Sequence, residues 1–318
     1  MWWLSDRPDP PFGDLDLKPA SWNSLPPGAQ AAWRTLATDQ TSTPFVAAIP
    51  SPDPHRVVVQ IHRATRSSYD SIRRALSRGV NLPDSLVCLT TEGTGLRGHR
   101  NRSWEALPGN LHLSFLIRDR LPILRAGAGL SILPAIVAAE WLAARLPDSV
   151  DFGIKWVNDL TVDNRKIGGV LASSSIRSHH FEDCLFGIGL NLSSSPDIEP
   201  DIFVPGTACL GEWSHPPNVV GSALEIIDAL QLQFQSLLSE GNDDAMDCYR
   251  RRSIALGREV LIYEDVMEGN PTDCQPLAGG VLQHIDSDLS LRISGCPSPV
   301  HRGRLAFAED VPVRKNDG

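Results

Sequence analysis

Lys155-Trp156-Val157-Asn158-Asp159-Leu160 and, shortly after it, Arg165-Lys166-Ile167-Gly168-Gly169 form the stretch on which the reading of this chain turns. Strand-forming residues flank it, around Phe152 to Trp156 and from Ile167 to Ala172. The compact polar pair Asn158-Asp159 therefore reads as turn chemistry between strands. A lysine that ends such a strand is either a partly exposed surface residue or a fixed cation. A further strand, Leu185 to Leu192, contains Gly187-Ile188-Gly189-Leu190-Asn191.

Upstream, Leu133, Ile136, Val137, Trp141 and Ala144 repeat at helical spacing, and Pro134 obliges that helix to begin nearby or to kink. Leu111 to Leu116 alternates as a half-buried strand behind a Pro108-Gly109-Asn110 turn. Val57 to Ile61 and Leu86 to Leu89 read as strands, and Tyr69 to Ser77 as a helix ended by Gly79. The first 55 residues are rich in proline, with one short helix expected over Ala29 to Ala37. They read as an extension wrapped on the core, without the two-helix pattern of a DNA-binding module.

Downstream, Ser222-x-x-Glu225 has the form of a capping box beside Leu224, Ile227, Leu230, Phe234, Leu237 and Leu238, which predicts a long helix. A second helix is expected near Asp243 to Ser253. Short strands over Glu259 to Tyr263, Gly279 to His284, Leu289 to Ile293 and His301 to Phe307 suit a small β-barrel. The expected division is an extension (1–55), a catalytic domain (56–255), a C-terminal barrel (256–308) and a flexible tail (309–318).

The 318 residues exceed the ~100 to 200 usual for one domain. With 42% hydrophobic and 21% charged residues, the chain can bury a real core. Its 29 Lys+Arg against 38 Asp+Glu leave a net charge of -9, which repels a nucleic acid. Six cysteines lie scattered without a C-x-x-C pair and read as reduced thiols. His179, His180 and Cys184 lack the second cluster a zinc site needs. Met1 to Leu4 has neither the basic nor the apolar region of a signal peptide, and the apolar stretch from Leu130 to Leu146 is broken by Glu140 and Arg145. The expectation is a cytoplasmic protein with no membrane and no nucleic acid among its partners.

Thr91 to Trp104 (TEGTGLRGHRNRSW) combines Arg97, Arg100 and Arg102 with three glycines and a tryptophan. Glycines let the main chain approach a ligand, and guanidinium groups fix anions. The plain alternative is a solvated basic loop. In order along the chain come Arg97 to Trp104, Pro108-Gly109-Asn110-Leu111, Lys155 to Asp159, Lys166 to Val170, Gly187 to Asn191, and Gly206-Thr207-Ala208-Cys209-Leu210. From about Val57 to Phe307 this order resembles the biotin-protein ligases. These carry a Gly/Arg loop closed by Trp, Pro-Gly-Asn-Leu, Lys-Trp-Pro-Asn-Asp, Lys-Leu-Ala-Gly-Ile, Gly-x-Gly-x-Asn and Ala-Thr-Ser-Leu.

The resemblance implies an α+β fold, with a mixed, largely antiparallel central sheet flanked by helices as in class II synthetases, plus the small C-terminal barrel. It implies an enzyme that joins biotin to ATP as biotinyl-5′-AMP, with Mg2+, and transfers biotin to a lysine of an acetyl-CoA-carboxylase-type carrier domain. Lys155, Arg97 and Arg100 take the catalytic roles, Lys155 contacting the carboxylate and the α-phosphate. Ser67, Ser68, Tyr69, Gly93, Thr94, Arg97, Gly98, His99, Lys155, Gly168 and Gly169 are the implied biotin-binding set. Arg100, Arg102, Trp104, Asn158, Asp159 and Asn191 are the implied nucleotide-binding set, with magnesium entering with ATP rather than held by the protein alone. An exposed strand edge could pair two subunits into a homodimer or dock the carrier.

The loop departs from the family where it is most diagnostic. Gly93 stands in place of a biotin-binding Gln, Leu96 and Asn101 in place of glycines, and His99 in place of the Arg that clamps the intermediate. Val157 replaces the Pro of Lys-Trp-Pro-Asn-Asp. Three readings therefore stay open: a biotin ligase with a looser loop, a ligase for lipoate or octanoate, and a non-catalytic relative that binds biotin or nucleotide.

Overall fold

Val57, Val58 and Val59 are all buried, yet they serve two different cores: Val58 packs with one apolar cluster, Val57 and Val59 with another. Successive side chains on a strand point to opposite faces, so a continuous apolar run means a sheet covered on both sides. The computed structural model describes residues 1–8, 16–51, 53–98, 102–265 and 274–312; His99, Arg100 and Asn101 lie outside the described residues.

The large sheet contains β1 (Trp2–Ser5), β2 (Lys18–Pro19), β3 (Phe45–Ala48), β4 (Val57–Ala64), β5 (Ser85–Arg97), β6 (Ser103–Ala106), β7 (Leu111–Pro122), β8 (Phe152–Lys155), β9 (Asp159–Val162), β10 (Arg165–Arg177) and β11 (His180–Leu190). Its order is β2-β3-β1-β4-β5-β7-β11-β10-β9-β8, with β6 paired to β5. Only the β1–β4 and β4–β5 pairs are parallel among the described strands. The helices are α1 (Pro27–Leu36), α2 (Ser68–Ser77), α3 (Ile123–Ala126), α4 (Gly129–Ala143), α5 (Val219–Ser239) and α6 (Asp243–Arg252). α2 makes the crossover between parallel β4 and β5, and lies with α1 on one face, while α4, α5 and α6 cover the other. The expected mixed, largely antiparallel α+β architecture is what the chain adopts.

Four details differ from the sequence expectation. The long helix starts at Val219, capped by Asn218, whose side chain accepts from Gly221 N at 2.9 Å; Ser222 lies inside it, and Glu225 instead accepts from Trp141 Nε1 at 2.7 Å. Asn218 and Ser222 are both good caps, and packing of Val219 into the core selects the earlier one. Pro134 sits inside α4, which begins at Gly129. The C-terminal strands β12 (Glu259–Tyr263), β13 (Ala278–Ile285), β14 (Leu291–Ile293) and β15 (Arg304–Phe307) form an open sheet in the order β14-β13-β12-β15, with no closed barrel among the described residues. Glu309, placed in the tail, pairs with Arg258, and Asp310 accepts from Asn164 at 2.9 Å.

The N-terminal residues are part of the sheet rather than a wrapping on it. β1 inserts between β3 and β4, and Trp3 is fully buried, its indole N–H donating to Gln60 Oε1 at 3.0 Å. Trp3→Ala is expected to cost about 3–5 kcal/mol in urea unfolding, by cavity formation and a stranded Gln60. A loss under about 1 kcal/mol would mean that β1 is a dispensable edge.

Candidate active site

The start of α2, the end of β5, and β7, β10 and β11 surround a cleft. Leu96, Leu113, Leu171, Ile188 and the Tyr69 ring give its lining an apolar part, and Arg97, Lys166 and Asn158 give it a polar, cationic part. Ser68 and Ser114 share a hydroxyl hydrogen bond of 2.8 Å along its wall. Ser67 caps α2, accepting from Asp70 N at 3.2 Å, and lines the cleft as well.

The glycines of the Gly187-x-Gly189 motif make room for two aromatic rings. A Cβ on Gly187 would stand 3.0 Å from the Tyr69 ring, and one on Gly189 would overlap the Trp104 indole. Trp104 is held in turn by His112: its Nε1–H donates to His112 Nδ1 at 3.2 Å, and His112 Nε2 lies 3.2 Å from Leu107 O. Burial pushes the His112 pKa down to about 4, so the ring is neutral, with its proton on Nε2 for the carbonyl.

Lys166 reaches the cleft because β10 is irregular against β9 between Lys166 and Gly168, which re-aims the side chain. Its main chain is fixed by the 206–208 segment, Lys166 N donating to Gly206 O at 2.8 Å and Ala208 N to Lys166 O at 2.9 Å. The ammonium donates to Asp159 Oδ1 at 2.6 Å and lies 5.8 Å from the Trp104 ring centroid. Burial alone would push Asp159 up; the Lys166 charge and hydrogen bond, with Arg102 and Lys155 behind, hold it below the usual carboxylate range.

A neighbouring pocket of about 200 Å³ shares Gly98, Trp104 and Lys166 with the cleft and adds Arg102, Asn191, Glu199 and Asp201. Asn191 Nδ2 donates to Ala208 O at 3.0 Å, while its buried Oδ1 has no partner among the described residues. Such an orphan acceptor suits a ligand hydroxyl or amine.

Lys155 is elsewhere, which corrects the expectation that it converges with Arg97. It lines a separate cavity between the core and the C-terminal sheet, with Arg102, Asp159, Leu289 and Arg304. Only 3% exposed, its Nζ donates to Phe203 O at 2.9 Å and sits 4.8 Å from the Phe307 ring centroid. Burial pushes its pKa down to about 8. Trp156 Nε1 donates to Leu289 O at 2.9 Å, so Lys155 and Trp156 both fasten the C-terminal sheet to the core. Lys155 ends β8 and Lys166 opens β10 beside an irregularity in the β9–β10 register, and their side chains line different cavities.

Of the other expected residues, Ser67, Ser68, Tyr69, Arg97, Gly98, Asn158 and Gly169 line the cleft. Asn158 Nδ2 is engaged with Val170 O at 2.6 Å. Arg102, Trp104 and Asn191 line the neighbouring pocket, and Asp159 the junction cavity. Gly93 and Thr94 do not line the cleft: Gly93 packs against Ala64 in the β4–β5 pair and Thr94 is exposed. Gly168 lies beneath it against Leu190. His99 and Arg100 fall outside the described residues. Sequence reasoning missed Lys166, Leu96 and His112. Asp163-Asn164, both at positive φ, is the signal that could have found Lys166: such a pair closes a tight hairpin and folds Lys166 back toward Asp159.

Residues 68–191 match the profile described as "Biotin/lipoate A/B protein ligase family". A biotin--[acetyl-CoA-carboxylase] ligase of Paracoccus denitrificans is 31% identical over 239 residues, 74% of this chain and 93% of that protein. One from Mycobacterium tuberculosis is 28% identical, over 61% of this chain and 69% of its own length. Among solved structures, the biotin protein ligase of Aquifex aeolicus in complex with biotin and ATP superposes with a TM-score of 0.58 at 18% identity, covering 78% of this chain and 97% of that one; the likeness is one of fold.

The neutral His112 sets a pH dependence. The unfolded chain protonates this ring below about 6.5, the folded one only below about 4, so its contribution to stability is whole above 6.5 and is lost as pH falls through that window. Between pH 7 and pH 4 wild type should lose about 3 kcal/mol more than His112→Gln in urea unfolding. Parallel pH profiles would contradict the neutral ring.

Proposed function

Since this chain belongs to the biotin/lipoate A/B protein ligase family, we propose that it activates biotin with ATP as biotinyl-5′-AMP and transfers the acyl group to a lysine of an acetyl-CoA-carboxylase-type carrier domain. The observation that carries this reading is the cleft itself, whose lining combines apolar side chains for the body of the acid with two cations, Arg97 and Lys166, for its carboxylate and the phosphate. The acid's carboxylate oxygen attacks the α-phosphorus, forming an O–P bond as the bond to the β-phosphate breaks and pyrophosphate leaves. Lys166 and Arg97 draw the two anions together and stabilise the charge that builds on the phosphoryl oxygens. Nucleoside then lies toward Trp104 and Asn191, whose unsatisfied Oδ1 accepts from it. In the second step the carrier amine attacks the acyl carbon, the C–N bond forms, and AMP departs with the electrons of the C–O bond while the amine proton passes to water.

Magnesium enters with the nucleotide. Among the described residues there is no cluster of three His, Cys, Asp or Glu to cage an ion. Charged Asp159 fits an ion that takes one or two carboxylates and the rest of its ligands from phosphate and water. Arg100 joins Arg97 and Arg102 in holding the phosphate of the intermediate, and His99 belongs with the biotin-binding residues. β10 pairs with β9 only as far as Gly169 among the described residues, leaving an edge on which a second copy can pair. No described helix is long and apolar enough to cross a membrane. Six free thiols suit the reducing cytoplasm, and the net charge of -9 disfavours nucleic acid as a partner.

The test is incubation with ATP, biotin and an apo carrier domain, read by avidin blotting and by biotin-dependent pyrophosphate release. Lys166→Ala should lower pyrophosphate release by about 10²–10³-fold, and Lys155→Met by far less. Release with lipoate or octanoate but not biotin would move the substrate to those acids, and ligand binding without any release would remove the ligase reading.

A further inference from the structure

α2 and the half of β10 beyond Gly169 wall an open groove of about 870 Å³. It shares Tyr69, Arg97, Gly98 and Leu171 with the cleft, so a polypeptide lying in it passes the cleft mouth. Arg73 and Arg74 project from α2 as exposed side chains, and Arg97 stands at the cleft end. The carboxylate lining this groove is Asp70, and it is already paired with Arg73 at 3.2 Å. Arg74 and Arg97 have no ion pair among the described residues. On the other side, Ala172 and Ser173 keep the wall low. A chain of net charge -9 thus gathers arginines, almost unopposed, beside the one cleft where an activated acid would wait.

We infer that this groove docks the acceptor protein, through an acidic segment beside its target lysine, with Arg73 and Arg74 binding the segment's carboxylates. The inference rests on the ligase reading above, since it requires an acyl-adenylate in the cleft. Its physical case is charge and position together. A lysine amine is cationic in water and is repelled by Arg97 and Lys166 as it approaches; carboxylates flanking it and seated on Arg73 and Arg74 offset that repulsion and fix the direction of entry. Exposed arginines at a binding surface act mainly on encounter and register, so their removal weakens carrier recognition and leaves the chemistry of the cleft untouched.

The experiment uses the full chain carrying Arg73→Glu and Arg74→Glu together, with three readouts. Biotin-dependent ATP–pyrophosphate exchange and biotin transfer to hydroxylamine should stay within about twofold of wild type. KM for the apo carrier domain should rise at least about tenfold with kcat little changed, and the wild-type KM should climb with added salt while that of the variant stays flat. Arg73→Lys with Arg74→Lys should restore most of the affinity, and so should a carrier in which the acidic residues beside the target lysine are replaced by lysine, paired with the Glu variant. An unchanged carrier KM in the Glu variant overturns the docking inference while leaving the ligase reading intact. Absence of exchange in the wild type overturns the ligase reading itself, and docking with it.

Discussion

The Asp159 carboxylate sits in β9 between Lys155 of β8 and Gly169 of β10, and accepts from the Lys166 ammonium at 2.6 Å. A half-buried carboxylate is costly to leave without a partner, so this contact fixes more than one side chain. It holds the β9–β10 hairpin at the cleft and keeps a long, flexible lysine in one orientation before any ligand arrives. Rotamer freedom of about 2 kcal/mol is surrendered during folding rather than during binding. The Trp104 ring near the ammonium and the 206–208 segment across its main chain complete the enclosure.

Two lysines of one short stretch thereby do different work. Lys166 carries its charge at the boundary of the cleft and the neighbouring pocket. Lys155 spends its charge on a carbonyl and an aromatic face at the junction with the C-terminal sheet. A cation buried there is costly, as its lowered pKa records, and is tolerated because Asp159, Asp310 and Asp201 stand nearby. The second sheet is thus coupled through Asp159 to the strand that carries Lys166.

Steric constraints shape the rest of the site. Tyr69 and Trp104 pack close to β11 because Gly187 and Gly189 have no side chains there, and His112 keeps Trp104 in place by remaining neutral. The Gly187-x-Gly189 pair is thereby a seat for two rings.

Much of the fold was legible in the residues. Runs such as Val57 to Ile61 announced strands, the period of Leu224 to Leu238 announced α5, and the order of short motifs announced the family. Those signals are local: they depend on side-chain spacing along one element, which the chain carries whatever surrounds it. Local patterns could not say which of Asn218 and Ser222 caps α5, nor that β1 enters the sheet between β3 and β4, nor that the last strands leave their sheet open. Likewise the sequence by itself supplied the two lysines, the arginines and the glycines of the site. Only the tertiary structure decided that Lys166 rather than Lys155 lines the cleft with Arg97. The physical reason is that the direction of a side chain follows from strand register and bulges, and register is set by the partner strands rather than by the residue's own neighbours in sequence.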